Sequence, residues 1–166
     1  GGNKSFNLRA VLSSTSNFLS PVIDMTNLSV HTIQNIIGST NSATTGEEVT
    51  RGGTELARYI TRKVELNEEA DIATVYLNVN RPGSSNVYLY YRALPGGSGL
   101  NIEDVAFDRV SPVEGDIPVN ERDFEEVRYD IDPAGTFGTI QFKLVLVSTN
   151  SSTPPKVKDL RAICAT

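Results

Sequence analysis

The sequence predicts an all-β fold, an antiparallel two-sheet β-sandwich of which the jelly roll is one form. Three observations carry this expectation. Short runs rich in Val, Ile, Tyr, Phe and Thr recur along the chain, separated by clusters of Gly, Pro, Asn and Ser. Several of these runs alternate apolar and polar residues with period two, as half-buried strands do. No long stretch carries the 3.6-residue apolar period of a helix. Seven to nine short strands with frequent turns fit a sandwich first and a closed barrel second, and no internal repeat is visible.

Residues 5–12 (SFNLRAVL) read as a first strand within an extended N-terminal strand or arm over residues 1–19. Ser20-Pro21 starts an extended segment, because the proline ring disfavours helix at the residue before it. In residues 28–37 (LSVHTIQNII) the β-branched content favours strand, although Leu28, Ile33 and Ile36/Ile37 also mark one face of a short helix. Residues 38–56 are rich in Gly, Ser, Thr, Asn and Glu and read as a long surface loop.

Residues 57–66 (ARYITRKVEL) form the next strand, with Ile60, Val64 and Leu66 on one parity. In residues 72–80 (IATVYLNVN), Ala73, Val75, Leu77 and Val79 alternate with Thr74, Tyr76, Asn78 and Asn80. Arg81-Pro82-Gly83-Ser84 is a turn, proline setting one φ and glycine permitting a positive one. Residues 86–93 (NVYLYYRA) return as a strand, and the pair reads as an antiparallel hairpin. Pro95 to Gly99 opens an acidic irregular stretch. Residues 125–131 (EEVRYDI) make a strand, and Asp132-Pro133-Ala134-Gly135 turns the chain into the strongest strand, residues 137–147. There Ile140, Phe142, Leu144 and Leu146 oppose Thr139, Gln141 and Lys143. A loop over 148–155 leads to a last strand at 157–164, where Leu160, Ala162 and Cys164 share a face opposite Ile163 and Val157.

The length of 166 residues suits one domain, 1–166, able to bury a core without staples. Gly1-Gly2 reads as a cloning scar, with the expectation that the chain is a piece of something longer. No apolar run approaches the roughly 18 residues of a membrane helix, and no secretory signal stands at the N-terminus. No membrane partner is expected. A single cysteine, Cys164, cannot form an intrachain disulfide and suits a reducing compartment. It reads as a small buried hydrophobe rather than a nucleophile.

Net charge is −5, unevenly spread. Residues 103–132 hold eleven acids against Arg109, Arg122 and Arg128, a local −8 that leaves +3 for the remainder. This balance argues against nucleic acid as a partner, since phosphate binding requires a positive face. The stretch reads as a solvated loop face. Calcium near Asp130 and Asp132 is not expected, because no D-x-[DN]-x-[DN]-G loop is present. Arg51, Arg58, Arg62 and Lys63 form a modest basic cluster that reads as solvated charge or as a partner for the acidic segment.

Catalytic chemistry finds few materials. A Ser-His-Asp triad must use His31, the only histidine, and no G-x-S-x-G elbow exists; Gly96-Gly97-Ser98-Gly99 reads as a flexible turn. One histidine and one cysteine are too few for zinc. No glycine run precedes Lys-Ser or Lys-Thr at P-loop spacing. Paired carboxylates of the glycosidase kind stay open, since many acids are present. No catalytic, cofactor or metal residue is assigned, and a non-enzyme is expected.

Aromatic residues are the more informative signal. Tyr76, Tyr88 and Tyr90, followed by Arg92, are expected to share the face opposite the aliphatic one on adjacent strands. They form the candidate interaction surface. Such tyrosines can pack under a loop or second sheet, anchor a protein interface, or stack on a sugar ring.

Four ordered stretches carry a resemblance. They are Ser20-Pro21-Val22-Ile23-Asp24; Gly52-Gly53 through Ala57-Arg58-Tyr59-Ile60-Thr61-Arg62-Lys63-Val64 to Leu66; Val75 through Pro82 continuing into Val87-Tyr88-Leu89-Tyr90-Tyr91-Arg92; and Phe142 through Leu146, then Ser148-Thr149-Asn150 and Lys158 through Ile163. Together they resemble a recurring domain in structural proteins of tailed bacteriophages, particularly T4-like phages of cyanobacteria and other marine bacteria. The resemblance covers most of residues 20–164 and implies a virion component of the tail or baseplate region, assembled in the bacterial host cytoplasm. It implies no catalytic residues, and its implied partners are other phage structural proteins and further copies of the chain. The sequence departs from that pattern at Ile102 to Phe107, where an aromatic-rich segment ending in tryptophan is replaced; no shared binding surface is carried over there. The alternative expectation is a carbohydrate-binding or host-recognition module that takes a glycan.

Overall fold

The computed structural model describes residues 9–24, 26, 36–38 and 46–166. The chain divides into two units, Gly1–Ile33 and Gln34–Thr166. In the first, Ser14 and Ser16 organise a local turn: the Ser14 hydroxyl accepts from the Ser16 amide at 3.1 Å, and the Ser16 hydroxyl from the Phe18 amide at 3.2 Å. Asp24 Oδ1 accepts from the Thr26 amide at 2.9 Å, an Asx turn that follows Ser20-Pro21. The expected strand over 5–12 is not formed at residues 9–12, and its remaining residues lie outside the described ones. Most of the expected strand at 28–37, His31 included, also lies outside them.

The second unit holds a sandwich of two sheets with antiparallel ladders. In the larger sheet β1 (Ala57–Ile60) and β2 (Val64–Ala70) lie end to end along one edge of β7 (Phe137–Ser148). The other edge of β7 pairs β4 (Ser85–Leu94), which pairs β5 (Asp108–Val110). The smaller sheet has β3 (Ile72–Asn80) between β6 (Glu125–Ile131) and β8 (Lys156–Ala165). Gly38 adds an isolated parallel bridge to Val147. Successive strands mostly cross between sheets, and the orders β2-β7-β4-β5 and β8-β3-β6 are those of a jelly roll one strand short beside β8.

The alternation read from sequence builds the core. Ala73, Val75, Leu77 and Val79 of β3 are at most 1% exposed and face Val87 and Leu89 of β4 and Ile140, Phe142 and Leu144 of β7. Each of these Val, Leu, Ile and Phe side chains contributes about 1.5–3 kcal/mol by leaving water. Val127, Tyr129 and Ile131 add the β6 layer, and Leu160 and Cys164 pack against it from β8.

Several expectations are corrected. β3 and β4 are not a hairpin. The Pro82–Ser85 turn is closed by the Ser85 amide donating to the Pro82 carbonyl at 2.9 Å, yet it carries the chain from one sheet to the other. Asn80 and Arg81 pin this arch to the 117–123 segment: Asn80 Nδ2 donates to the Asn120 and Asp123 carbonyls at 2.9 Å, and Arg81 Nη1 to the Ile117 carbonyl at 2.6 Å. Ile60 and Val64 do not share a face either. Ile60 lies opposite Lys143 and Val64 opposite Ile140, because the chain slips by one residue at a joint around Thr61. There the Thr61 hydroxyl accepts from the Phe142 amide at 3.0 Å, in place of a main-chain acceptor. The acidic irregular stretch contains β5 and a 3-10 turn at Ile102–Asp104 capped by Asn101, and it buries Ile102, Phe107 and Ile117.

Tyr129 is 1% exposed, and its hydroxyl has no hydrogen-bond partner among the described residues. Burial pushes the Tyr129 phenol upward, and pushes that of Tyr90, on the outer face of the larger sheet, to about 12. The folded chain therefore holds these protons more tightly than the unfolded chain does. Stability is full below the ordinary tyrosine value of 10.0 and falls as pH rises through 12. For Tyr90 alone the loss is on the order of 2–3 kcal/mol. Lys143, whose pKa burial lowers from 10.5, acts in the opposite direction below that value. Urea unfolding from about pH 10 to about pH 12 is expected to show a falling midpoint. Tyr129→Phe should shallow that fall while changing neutral-pH stability by no more than about 1 kcal/mol, since it deletes an unsatisfied hydroxyl.

Candidate functional site

The four residues of the candidate interaction surface do not form one face. Tyr76 lies on the outer face of the smaller sheet, whereas Tyr88, Tyr90 and Arg92 lie on the outer face of the larger one. Tyr76 and Tyr88 are half-buried, each with an arginine over its ring: Arg161 at 4.9 Å and Arg109 at 4.3 Å. Tyr90 is 0% and Arg92 5% exposed, so neither is on an open surface.

What buries them is the strap of residues 46–55 together with Phe107. The loop read over 38–56 is thus not simply a surface loop: Glu47 and Glu55 within it are buried. β7 presents Lys143, Val145 and Val147 on the same outer face, paired with Tyr90, Tyr88 and Asn86 of β4. Tyr90, Phe107, Val145 and Val147 form a second, smaller core under the strap.

The fastening of that strap is ionic. Lys143 Nζ, fully buried, donates to the Glu47 main-chain carbonyl and lies 3.1 Å from Glu47 Oε2. Glu47 Oε1 accepts from the Glu55 amide at 2.8 Å and stands 3.8 Å from Arg58 Nη1. The ammonium also lies 4.5 Å from the Phe107 ring centre and 5.0 Å from that of Tyr90. Burial pushes the Lys143 pKa down, and the Glu47 hydrogen bond and charge pull it back.

Arg92 fastens the other end with neutral acceptors. It donates to Gln141 Oε1 at 2.8 and 2.6 Å, to the Thr50 carbonyl at 3.0 Å and to the Val105 carbonyl at 3.1 Å, and stacks 4.4 Å from Phe107. Gln141 in turn donates to the Thr61 carbonyl at 2.6 Å. Outside, Arg51 reaches Asp104 at 3.5 Å and Glu103 at 3.8 Å, so part of the basic cluster meets the acidic segment of its own chain. Glu47 and Lys143, both fully buried, turn their bonds inward and tie the strap to the sheet.

The smaller sheet's outer face is a polar ladder. Arg161 bridges to Glu126 at 3.1 Å across Tyr76. Arg128 clasps Asp130 at 2.9 and 3.0 Å, and Asp130 also accepts from Thr74. Among the described residues no three His, Cys, Asp or Glu side chains gather as a metal site would require.

Among the described residues, one flank of the sandwich carries exposed apolar side chains. One side of the sandwich is covered where the Val113 amide donates to the Arg128 carbonyl at 2.9 Å beside β6. The opposite side, between the β1–β2 edge and β8, holds a groove of about 480 Å³ lined by Tyr59, Leu144, Leu146, Val157 and Leu160, with Thr61, Lys158 and Asp159. Tyr59, in the lining, is 58% exposed, and on the strands that border the groove Ile60, Val64 and Ile163 are 43–53% exposed. Sequence reasoning missed this flank, because Tyr59 and Leu160 read there as ordinary strand residues. Comparisons with known protein families, curated proteins and solved structures find no match for the chain.

Proposed function

We propose that the chain is a non-catalytic structural module of a tailed-phage virion, in the tail or baseplate region, that works through protein–protein assembly. The observation that carries the assembly part is the flank groove, largely apolar and bordered by two strand edges. Exposed apolar surface next to unpaired edges is what protein partners cover. The virion part is supported by the ordered resemblance of the four sequence stretches, three of which fall on β1–β2, β3–β4 and β7–β8. Burial of Tyr90 and Arg92 under the strap leaves no flat tyrosine platform for a sugar on the larger sheet, which favours assembly over glycan recognition.

The test is immunogold labelling, with antibody to this domain, of gradient-purified particles of the phage that encodes it. Labelling at the tail or baseplate is expected. Particles that carry no label, and no peptide of the chain by mass spectrometry, overturn the virion reading.

A further inference from the structure

We infer that the open flank is a self-complementary interface: a second copy of this chain docks on it about a two-fold axis perpendicular to the sheets, with β8 antiparallel to the partner's β8. The inference deepens the assembly reading and rests on it. Three features lead to it.

The first is the backbone. Among the described residues β8 pairs β3 on one side only, and the smaller sheet is one strand short there. Natural edges are guarded by lysines, prolines and bulges. Here Lys156, Lys158 and a bulge between the Asn78 and Val79 partners guard the N-terminal third of β8. From Asp159 to Ala165 the register is regular, without proline or lysine, and Ile163 is 53% exposed. This stretch is fit to accept another strand.

The second is the side-chain layer behind that edge. Leu160, Ala162 and Cys164 are paired with Leu77, Val75 and Ala73 and so point inward. Leu160 joins Tyr59, Leu144, Leu146 and Val157 in an apolar wall, with Thr61, Lys158 and Asp159 at its margin, that a matching wall would complete.

The third is charge, and it fixes the orientation. Along the neighbouring edge the exposed charges run basic and then acidic: Arg62 and Lys63, followed by Glu65 and Glu68. A two-fold axis near this crossover sets the basic half of one copy against the acidic half of the other. A parallel arrangement would set like against like. An antiparallel β8 pair centred on Ala162 obeys the same axis, and it brings Leu160 beside Cys164 of the partner subunit. Opposite charges across paired strands are favourable and like charges unfavourable.

The experiment is sedimentation or light scattering of the full chain, with reductant, from about 1 µM to about 200 µM. The mass is expected to rise from 18.0 kDa towards twice that value. Ile163→Lys, at an exposed position, should weaken association about tenfold with an unchanged circular dichroism spectrum. Lys63→Glu should weaken it too, and Lys63→Glu with Glu65→Lys should restore it, since the swap rebuilds both the cross-copy pairs and the 2.8 Å Lys63–Glu65 contact within the chain. A monomer throughout, an association indifferent to Ile163→Lys, or a charge reversal without rescue overturns the interface. So does slow amide exchange over Asp159–Ala165 in the monomer, which would mean that the chain covers this edge itself. A monomer found in labelled particles sinks the dimer and spares the virion reading; a dimer absent from particles does the reverse.

Discussion

Lys143→Met is expected to lower unfolding free energy by about 3–5 kcal/mol, the range for leaving one charge of a buried pair without its partner. Among the described residues Glu47, itself 0% exposed, would keep only the Glu55 amide and the more distant Arg58. The informative comparison is Lys143→Met with Glu47→Gln. Glutamine still offers Oε1 to the Glu55 amide, and the uncompensated charge disappears together with the cation. The double variant should therefore be more stable than Lys143→Met alone, with a coupling of about 1–3 kcal/mol in a denaturant double-mutant cycle. Strictly additive losses would show that the two groups do not act as a pair.

The next largest effect is expected at Gly53. Its φ of +133° lies where side chains are rarely tolerated, and an added Cβ would stand 2.2 Å from Glu47 Oε2. The carboxylate cannot retreat without loosening Lys143 and the Glu55 amide. Gly53→Ala thus combines backbone strain with a broken fastening, and a loss of about 3 kcal/mol is expected in urea unfolding. Gly52→Ala is the control: its φ is also positive, at +77°, but its added Cβ meets nothing within 4 Å. It should cost about 1 kcal/mol, strain alone. Equal losses at the two positions would remove Glu47 from the explanation.

Much of the fold is legible in the residues. The period-two runs at 72–80, 86–93, 125–131, 137–147 and 157–164 correspond to β3, β4, β6, β7 and β8, since alternation reports directly which side chains must leave water. Alternation does not report which strand lies alongside. The turn after β3 has hairpin chemistry, but both apolar faces flanking it are satisfied by stacking one strand over the other, which puts them in different sheets. Tyr76 and Tyr88 were separated for the same reason.

The roofed face did leave a trace. Leu144-Val145-Leu146-Val147 is continuously apolar, and Tyr88-Leu89-Tyr90-Tyr91 nearly so. Runs of that kind belong to strands covered on both faces. They forecast a cover over Lys143, though not that its cover would be a strap whose composition is polar. Glu47 was hidden because a glutamate in a Gly- and Thr-rich stretch ordinarily faces solvent.

How the strap is attached has a dynamic consequence. Residues 46–55 contribute no strand to either sheet, and among the described residues side chains and single carbonyls rather than a ladder anchor them. Releasing them leaves every β7 and β4 backbone bond intact. The strap is thus a local unfolding unit whose opening free energy lies below that of the whole domain. A protease that samples this opening would cut at 46–55 before it reached the sheets, and such a nick would bare the Tyr90 and Phe107 face of an otherwise native sandwich.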